Sequence, residues 1–172
     1  MTADRRIPVV SIVGKSDSGK TTVMEGLIRE LTARGWRVAT VKHHIHEVDV
    51  DLPGKDSWRH ARAGSVTAMI SSPTQFVVVR RVSEERTLDQ LVEAAGDVDL
   101  LLTEGFKRAG DVRIEVVRRA RSDEMITPAG EAFAVMTDTP QIVPEGTPVF
   151  PLDAHSSVAE LIEDSFLKGS EE

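Results

Sequence analysis

Residues 7–22 read Ile7-Pro-Val-Val-Ser-Ile-Val13, then Gly14-Lys-Ser-Asp-Ser-Gly-Lys-Thr-Thr22. The first part is a nearly continuous apolar run, the pattern of a strand covered on both faces in a parallel sheet. The second part is a Gly/Ser-rich turn that matches G-x-x-x-x-G-K-[ST] in full. Val23, Leu27, Ile28 and Leu31 follow at helical spacing, and Gly35 ends that helix. Trp36-Arg-Val-Ala-Thr-Val41 reads as a second strand. Strand, helix and strand in this order imply a right-handed crossover and an α/β class.

The turn asks for a phosphate. Small residues let the backbone wrap closely, so that successive N–H groups from Gly14, Lys15, Ser16, Asp17, Ser18 and Gly19 point at phosphoryl oxygens. The helix starting near Lys20 adds the positive end of its dipole. Lys20 is placed to reach the β- and γ-phosphates, and the Thr21 hydroxyl to ligate Mg²⁺. Thr22 reads as a helix-start residue.

Lys15 reads in two ways. Its spacing is similar to the deviant loop of MinD-like and nitrogenase-iron-protein-like ATPases, where an early lysine crosses a dimer interface. Ser16-Asp17 stand where those proteins carry Gly-Gly, and a plain surface lysine is the other reading.

A phosphate loop with Mg²⁺ needs an acid at the end of a neighbouring strand. Asp97-Val-Asp-Leu-Leu-Leu-Thr-Glu-Gly105 supplies Glu104 where its apolar run stops. Asp99 opens that run and belongs to the opposite edge of the sheet. The polar stretch 42–56 follows the second strand onto the same carboxyl-end rim as the loop. There Asp49 and Asp51 are candidates to approach Mg²⁺ or orient water, and Lys42 and the histidines to contact phosphate. His43, His44 and His46 with the two aspartates are chemically able to hold a transition metal, although His43 and His44 point oppositely if extended.

Elsewhere, Asp56 reads as the N-cap of a short helix through Ala63. Val66–Ile70 and Gln75–Val79 read as two strands joined around Ser72-Pro73. Thr87–Ala95 reads as a helix with Leu88, Leu91 and Val92 on one face. Val112–Val117, Ala132–Met136 and Val149–Leu152 read as strands and Ser157–Leu167 as a closing helix, while Arg118–Glu131 has no readable period.

Composition narrows the function. The 172 residues carry 21 basic and 28 acidic side chains, a net charge of −7, which argues against a broad nucleic-acid surface. Aromatics make up 4% with no tyrosine, which argues against a base-stacking platform. The absence of cysteine excludes disulfide, thiolate-zinc and thiol-nucleophile chemistry. No run suits a membrane span or a signal peptide, so the expectation is a cytoplasmic protein.

Val41-Lys-His-His-Ile-His46, Asp49-Val-Asp51, Pro53-Gly-Lys-Asp-Ser-Trp-Arg-His60 and Ala63-Gly64 together resemble the molybdopterin-guanine dinucleotide biosynthesis adaptor family, MobB. Thr103-Glu-Gly-Phe-Lys107 and Phe133-Ala-Val-Met-Thr-Asp138 resemble its second and third signatures, and the likeness runs over most of residues 7–165. The resemblance implies a three-layer α/β P-loop NTPase fold in one domain spanning 1–172. Its central sheet is mostly parallel, and a β-hairpin extension at 68–80 serves dimerisation. It implies GTP and Mg²⁺ as cofactors, at most a slow GTPase activity, and a homodimer assisting the guanylyltransferase MobA, with molybdopterin and molybdoenzyme apoproteins as further partners. Gly14, Gly19, Lys20, Thr21 and Thr22 carry over for phosphate and Mg²⁺, and Asp51 and Glu104 as acidic partners. His43, His44, Lys55 and Lys107 join the same constellation.

No Asn/Thr-Lys-x-Asp motif reads guanine. Asp138, after a short strand, is able to accept from guanine N1 and N2, and equally reads as a turn residue before Pro140. Two other functions fit the loop: a small-molecule kinase, for which Arg113–Arg121 offers arginines, and a GTP-dependent nickel metallochaperone, suggested by the histidines. Residues 66–79 are expected to pair across a two-fold axis.

Overall fold

A computed structural model of the chain describes residues 6–44, 51–106 and 110–168. In chain order the elements are β1 (Val9–Val13), α1 (Lys20–Ala33), β2 (Val38–Lys42), α2 (Asp56–Arg62), β3 (Thr67–Ser71), β4 (Phe76–Arg80), α3 (Leu88–Ala95), β5 (Leu100–Glu104), β6 (Val112–Val117), β7 (Ala134–Thr137), β8 (Val149–Phe150) and α4 (His155–Ile162). A 3-10 turn lies at Pro140–Ile142 and a π-helical turn at Glu163–Leu167. The chain divides into two compact units, Met1–His43 with Leu88–Glu172, and His44–Thr87.

The first unit is built on a six-stranded sheet ordered β2-β5-β1-β6-β7-β8, parallel at every pairing. Val10, Ile12, Leu100, Leu102, Ile114 and Val116 face one side and pack with Leu27 and Leu31 of α1 and Val158 and Ile162 of α4. The alternate residues Val9, Ser11, Val13, Leu101 and Thr103 are buried as well. Burial on both faces is why these strands read as continuous apolar runs rather than alternating ones. The Thr103 hydroxyl donates to Ser11 Oγ at 2.9 Å, so these two buried hydroxyls are paired.

Helices α1 and α4 approach closely at Gly26. A methyl group built there would stand 2.3 Å from the His155 ring. Past the end of α1, Arg34 pairs with Glu163 and donates to Ser156 Oγ at 2.9 Å, and the Trp36 indole N–H donates to Glu163 Oε1 at 2.7 Å. Burial pushes the Glu163 carboxyl up. The hydrogen bonds from Trp36 and Arg34 outweigh that and leave it below the ordinary carboxylate value.

The second unit holds α2 and the antiparallel β3–β4 hairpin, with Thr67 opposite Arg80 and Ser71 opposite Phe76. Ser72 closes the turn by accepting the Gln75 N–H at 2.9 Å. Asp56, expected as the N-cap, is instead the first helical residue. Lys55 takes the extended cap position and makes no side-chain cap bond. The acid at the first turn still meets the positive end of the helix. The C-terminal segment also differs from the single closing helix expected, since an α-helix starting at His155 gives way to a π-turn at Glu163. Among the described residues, no helix is long and apolar enough to cross a membrane.

Candidate functional site

The strand order decides what meets the turn after β1. Because β1 lies between β5 and β6, Ile12 stands opposite Glu104 and Val13 opposite Glu115. The carboxyl ends of three neighbouring strands therefore share one rim, and the loop 14–19 rises from its middle. Gly14 takes φ 145° there, and a Cβ on it would sit 2.4 Å from the Val116 carbonyl oxygen. Only glycine allows the loop to leave the sheet this tightly. Asp17 adopts φ 59° and Gly19 φ 98°, and Gly19 is the N-cap of α1. The result is a curl of backbone ending on a helix N-terminus, the arrangement that gathers N–H groups toward an anion.

The side chains follow from these positions. Lys20 Nζ donates to the carbonyls of Lys15 at 2.7 Å and Gly14 at 3.2 Å, which bends the ammonium back over the loop. The Thr21 hydroxyl lies 3.2 Å from both carboxylate oxygens of Glu104. Glu104 is 9% exposed, at the last position of β5, and Lys42 Nζ at the end of β2 stands 3.4 Å from its Oε1. His43 extends the ladder by donating its N–H to the Glu104 carbonyl at 2.9 Å, and its ring packs on Phe106 at 4.7 Å. Thr21 and Glu104 form an all-oxygen donor pair suited to a hard divalent cation. The loop itself, with Ser18 Oγ buried and unpartnered among the described residues, fits a phosphate group.

A family model described as MobB, molybdopterin guanine dinucleotide synthesis protein B, matches residues 9–138. The chain belongs to the MobB family. It is 37% identical over 143 residues to a molybdopterin-guanine dinucleotide biosynthesis adapter protein of Haemophilus influenzae, covering 80% of this chain and 78% of that one. It is 33% identical over 147 residues to the Escherichia coli protein of the same description, covering 81% and 83%. A crystal structure of molybdopterin-guanine biosynthesis protein B superposes with TM-score 0.73 at 37% identity, over 91% of this chain and 99% of that one. Bacillus subtilis MobB superposes with TM-score 0.75 at 26% identity, over 95% and 99%. The likeness establishes an α/β, P-loop NTPase-like fold with a mostly parallel central sheet, as the sequence led one to expect.

Within this MobB-family fold, Gly14 to Thr22, Glu104, Lys42 and His43 come together at one rim of the first unit. Asp99 lies at the opposite end of β5, where its carboxylate binds Arg37 at 2.8 Å. Asp51 and His44 belong to the second unit. There Asp51 Oδ1 accepts from the Leu52 N–H at 2.9 Å and the Ser57 hydroxyl at 3.0 Å, and its Oδ2 is buried without a partner among the described residues. His46, Asp49 and Lys107 lie outside the described residues. Asp138 follows β7, and its Oδ1 accepts the Arg119 N–H at 2.7 Å.

Lys15 has partners within the chain that its spacing did not indicate. Its ammonium lies 2.6 Å from Ser122 Oγ and 2.9 Å from Glu124 Oε2 of the same chain. These partners, with Arg118 and Arg121, come from the stretch that showed no period. The signal that would have found them is topological. Arg118 directly follows a strand that neighbours β1, and that adjacency is invisible without the sheet order.

Proposed function

We propose that this chain is a GTP-binding accessory protein of molybdenum cofactor biosynthesis, assisting a MobA-type guanylyltransferase as the guanine dinucleotide is formed. The observation that carries the reading is the Thr21 hydroxyl beside both Glu104 oxygens, on the helix that opens with Lys20 and Gly19. The names of the relatives place the family in the biosynthesis of a guanine dinucleotide.

In this reading the N–H groups of residues 14–19 and the dipole of α1 bind the phosphates, and Lys20 swings from its carbonyl partners to the β- and γ-phosphates. Thr21 and Glu104 hold Mg²⁺. Mg²⁺ neutralises charge between phosphates when bound. Asp138 accepts from guanine N1 and N2, and His43 supplies an additional nucleotide contact. Hydrolysis forms a bond from a water oxygen to the γ-phosphorus and breaks the β–γ bridge, leaving GDP and phosphate. Gly105 and Phe106 follow Glu104 and neither is able to act as a base or orient the water. Turnover alone is therefore slow, well below ~1 s⁻¹.

The hairpin supports a homodimer. Met69 is 64% and Phe76 67% exposed, and Ile70, Val77 and Val78 are also uncovered. A two-stranded sheet with apolar faces in water needs a partner surface. Cytoplasmic residence, molybdopterin and molybdoenzyme apoproteins as further partners, and no contact with nucleic acid or membrane complete the proposal.

Calorimetry of the full chain with GTP and with ATP, each with Mg²⁺, tests it. GTP uptake that is lost in Lys20→Ala, together with loss of stimulation of the guanylyltransferase, is expected. If the folded chain takes up neither nucleotide, the reading is wrong.

A further inference from the structure

The stretch between β6 and β7 is laid on the phosphate-type loop at several points. Lys15 is held by Ser122 and Glu124 at 2.6 and 2.9 Å. Arg121 donates its Nε–H to the Ser16 carbonyl at 2.9 Å and stands 3.9 Å from the Asp17 carboxylate. Arg118, the first residue past β6, brings a guanidinium nitrogen to 3.5 Å from where a Cβ on Gly19 would stand. The stretch is fastened from behind as well. Glu115, 1% exposed on β6, accepts the N–H groups of Ile126 at 2.6 Å and Thr127 at 2.8 Å, and Asp138 accepts that of Arg119. An acidic side chain so deeply buried is accommodated because both of its oxygens receive backbone hydrogen bonds.

The charges around the loop are not equivalent. Lys15 is balanced by Glu124, and Arg121 has Asp17 close by. Arg118 enters no ion pair among the described residues, yet its guanidinium lies beside Gly19, the N-cap of α1. A cation at the positive end of a helix is opposed by the dipole. The placement becomes favourable once an anion sits between the guanidinium and the helix N-terminus, and guanidinium is the group whose fork matches two phosphoryl oxygens.

We propose that Arg118 is a phosphate-binding residue supplied by the chain itself, donating to the phosphates of a nucleotide seated in the 14–22 loop. Arg121, the Lys15–Glu124 pair and Glu115 hold the stretch that carries it. The proposal rests on the nucleotide reading above.

The test is calorimetry with GTP and with inorganic tripolyphosphate, each in Mg²⁺, on the unaltered full chain, Arg118→Ala and Arg118→Lys, alongside thermal melts without ligand. Arg118→Ala should weaken both ligands by about ten- to hundredfold, the range a charge-assisted hydrogen bond gives. Arg118→Lys should recover part of that loss, because the charge stays and the fork goes. The ligand-free melts should coincide. Equal GTP affinity in the unaltered chain and Arg118→Ala would overturn the proposal and leave the nucleotide reading intact. A loss for GTP with none for tripolyphosphate would also overturn it, since the contact would then be to the base or ribose. Absence of GTP binding by the unaltered chain would remove the nucleotide reading and this proposal together.

Discussion

Thr21 and Glu104, 83 positions apart in the chain, meet with the threonine hydroxyl 3.2 Å from each oxygen of the carboxylate. One residue stands in the first turn of α1 and the other closes β5, so the pair reports directly on the parallel registry of β5 with β1. A hydroxyl centred on two carboxylate oxygens holds the acid in one orientation, ready to share a cation with the threonine.

Glu104→Gln should therefore remove the Mg²⁺ response of nucleotide binding while leaving the fold intact. The expected result in titrations with and without Mg²⁺ is a GTP affinity that no longer improves on adding the metal, about tenfold or more below the unaltered chain in Mg²⁺. A full Mg²⁺ response in the variant would show that Glu104 is not the metal's acid.

Gly14→Ala should cost both stability and binding. The added methyl group would meet the Val116 carbonyl at 2.4 Å at a φ of 145°, where neither the atom nor the backbone angle is tolerated. A loss of about 2–3 kcal/mol in urea unfolding is expected. Gly54→Ala is a control, because φ is also positive there but nothing lies within 4 Å.

Glu163 gives the fold a sensitivity to acid. Its folded carboxyl titrates below the ordinary value of 4.5, because the Trp36 and Arg34 hydrogen bonds outweigh the burial that opposes them. The stability from this pairing is fully present above the unfolded value and drains away as pH falls from about 4.5 through the lower folded value. Glu163→Gln should be less stable at pH 7 by about 2 kcal/mol and should show a flatter acid limb in melting temperature against pH. Parallel curves for the two proteins would rule this out.

Val78→Glu should abolish self-association without touching the parallel sheet. Val78 is 44% exposed on β4, opposite Met69. A buried unpaired carboxylate at a two-fold interface is strongly unfavourable. Sedimentation of the unaltered chain as a dimer at micromolar concentration, and of the variant as a monomer with unchanged melting of the main unit, is the expected outcome. A monomeric unaltered chain would end the dimer proposal.

How far these features were readable in the chain depends on how local their cause is. The apolar runs at Val9–Val13 and Leu100–Glu104 and the glycine-rich turn between strand and helix declare themselves, because burial on both faces and tight curvature each demand particular residue types in succession. Glu104 was legible as the acid at the end of such a run. Arg118, Glu115 and Glu124 were not, because their roles depend on β6 lying beside β1 and on backbone bonds to Ile126 and Thr127. The intrachain partner of Lys15 was not legible for the same reason, being 109 positions distant. The N-cap of α2 slipped by one residue because an acid at the first helical position satisfies the dipole as well as a cap does.

The long separations within the site also bear on how the protein is made. The loop and its helix leave the ribosome before Glu104, Arg118 and Glu124 are translated, and β1 gains its first strand neighbour with β5 and its second only with β6. A nascent chain halted anywhere before residue 118 carries the recognisable motif without the surroundings that give it purpose. Capture of the proposed ligand would thus come late in biogenesis, and the edges of β1 stay unpaired until β5 and β6 have been made.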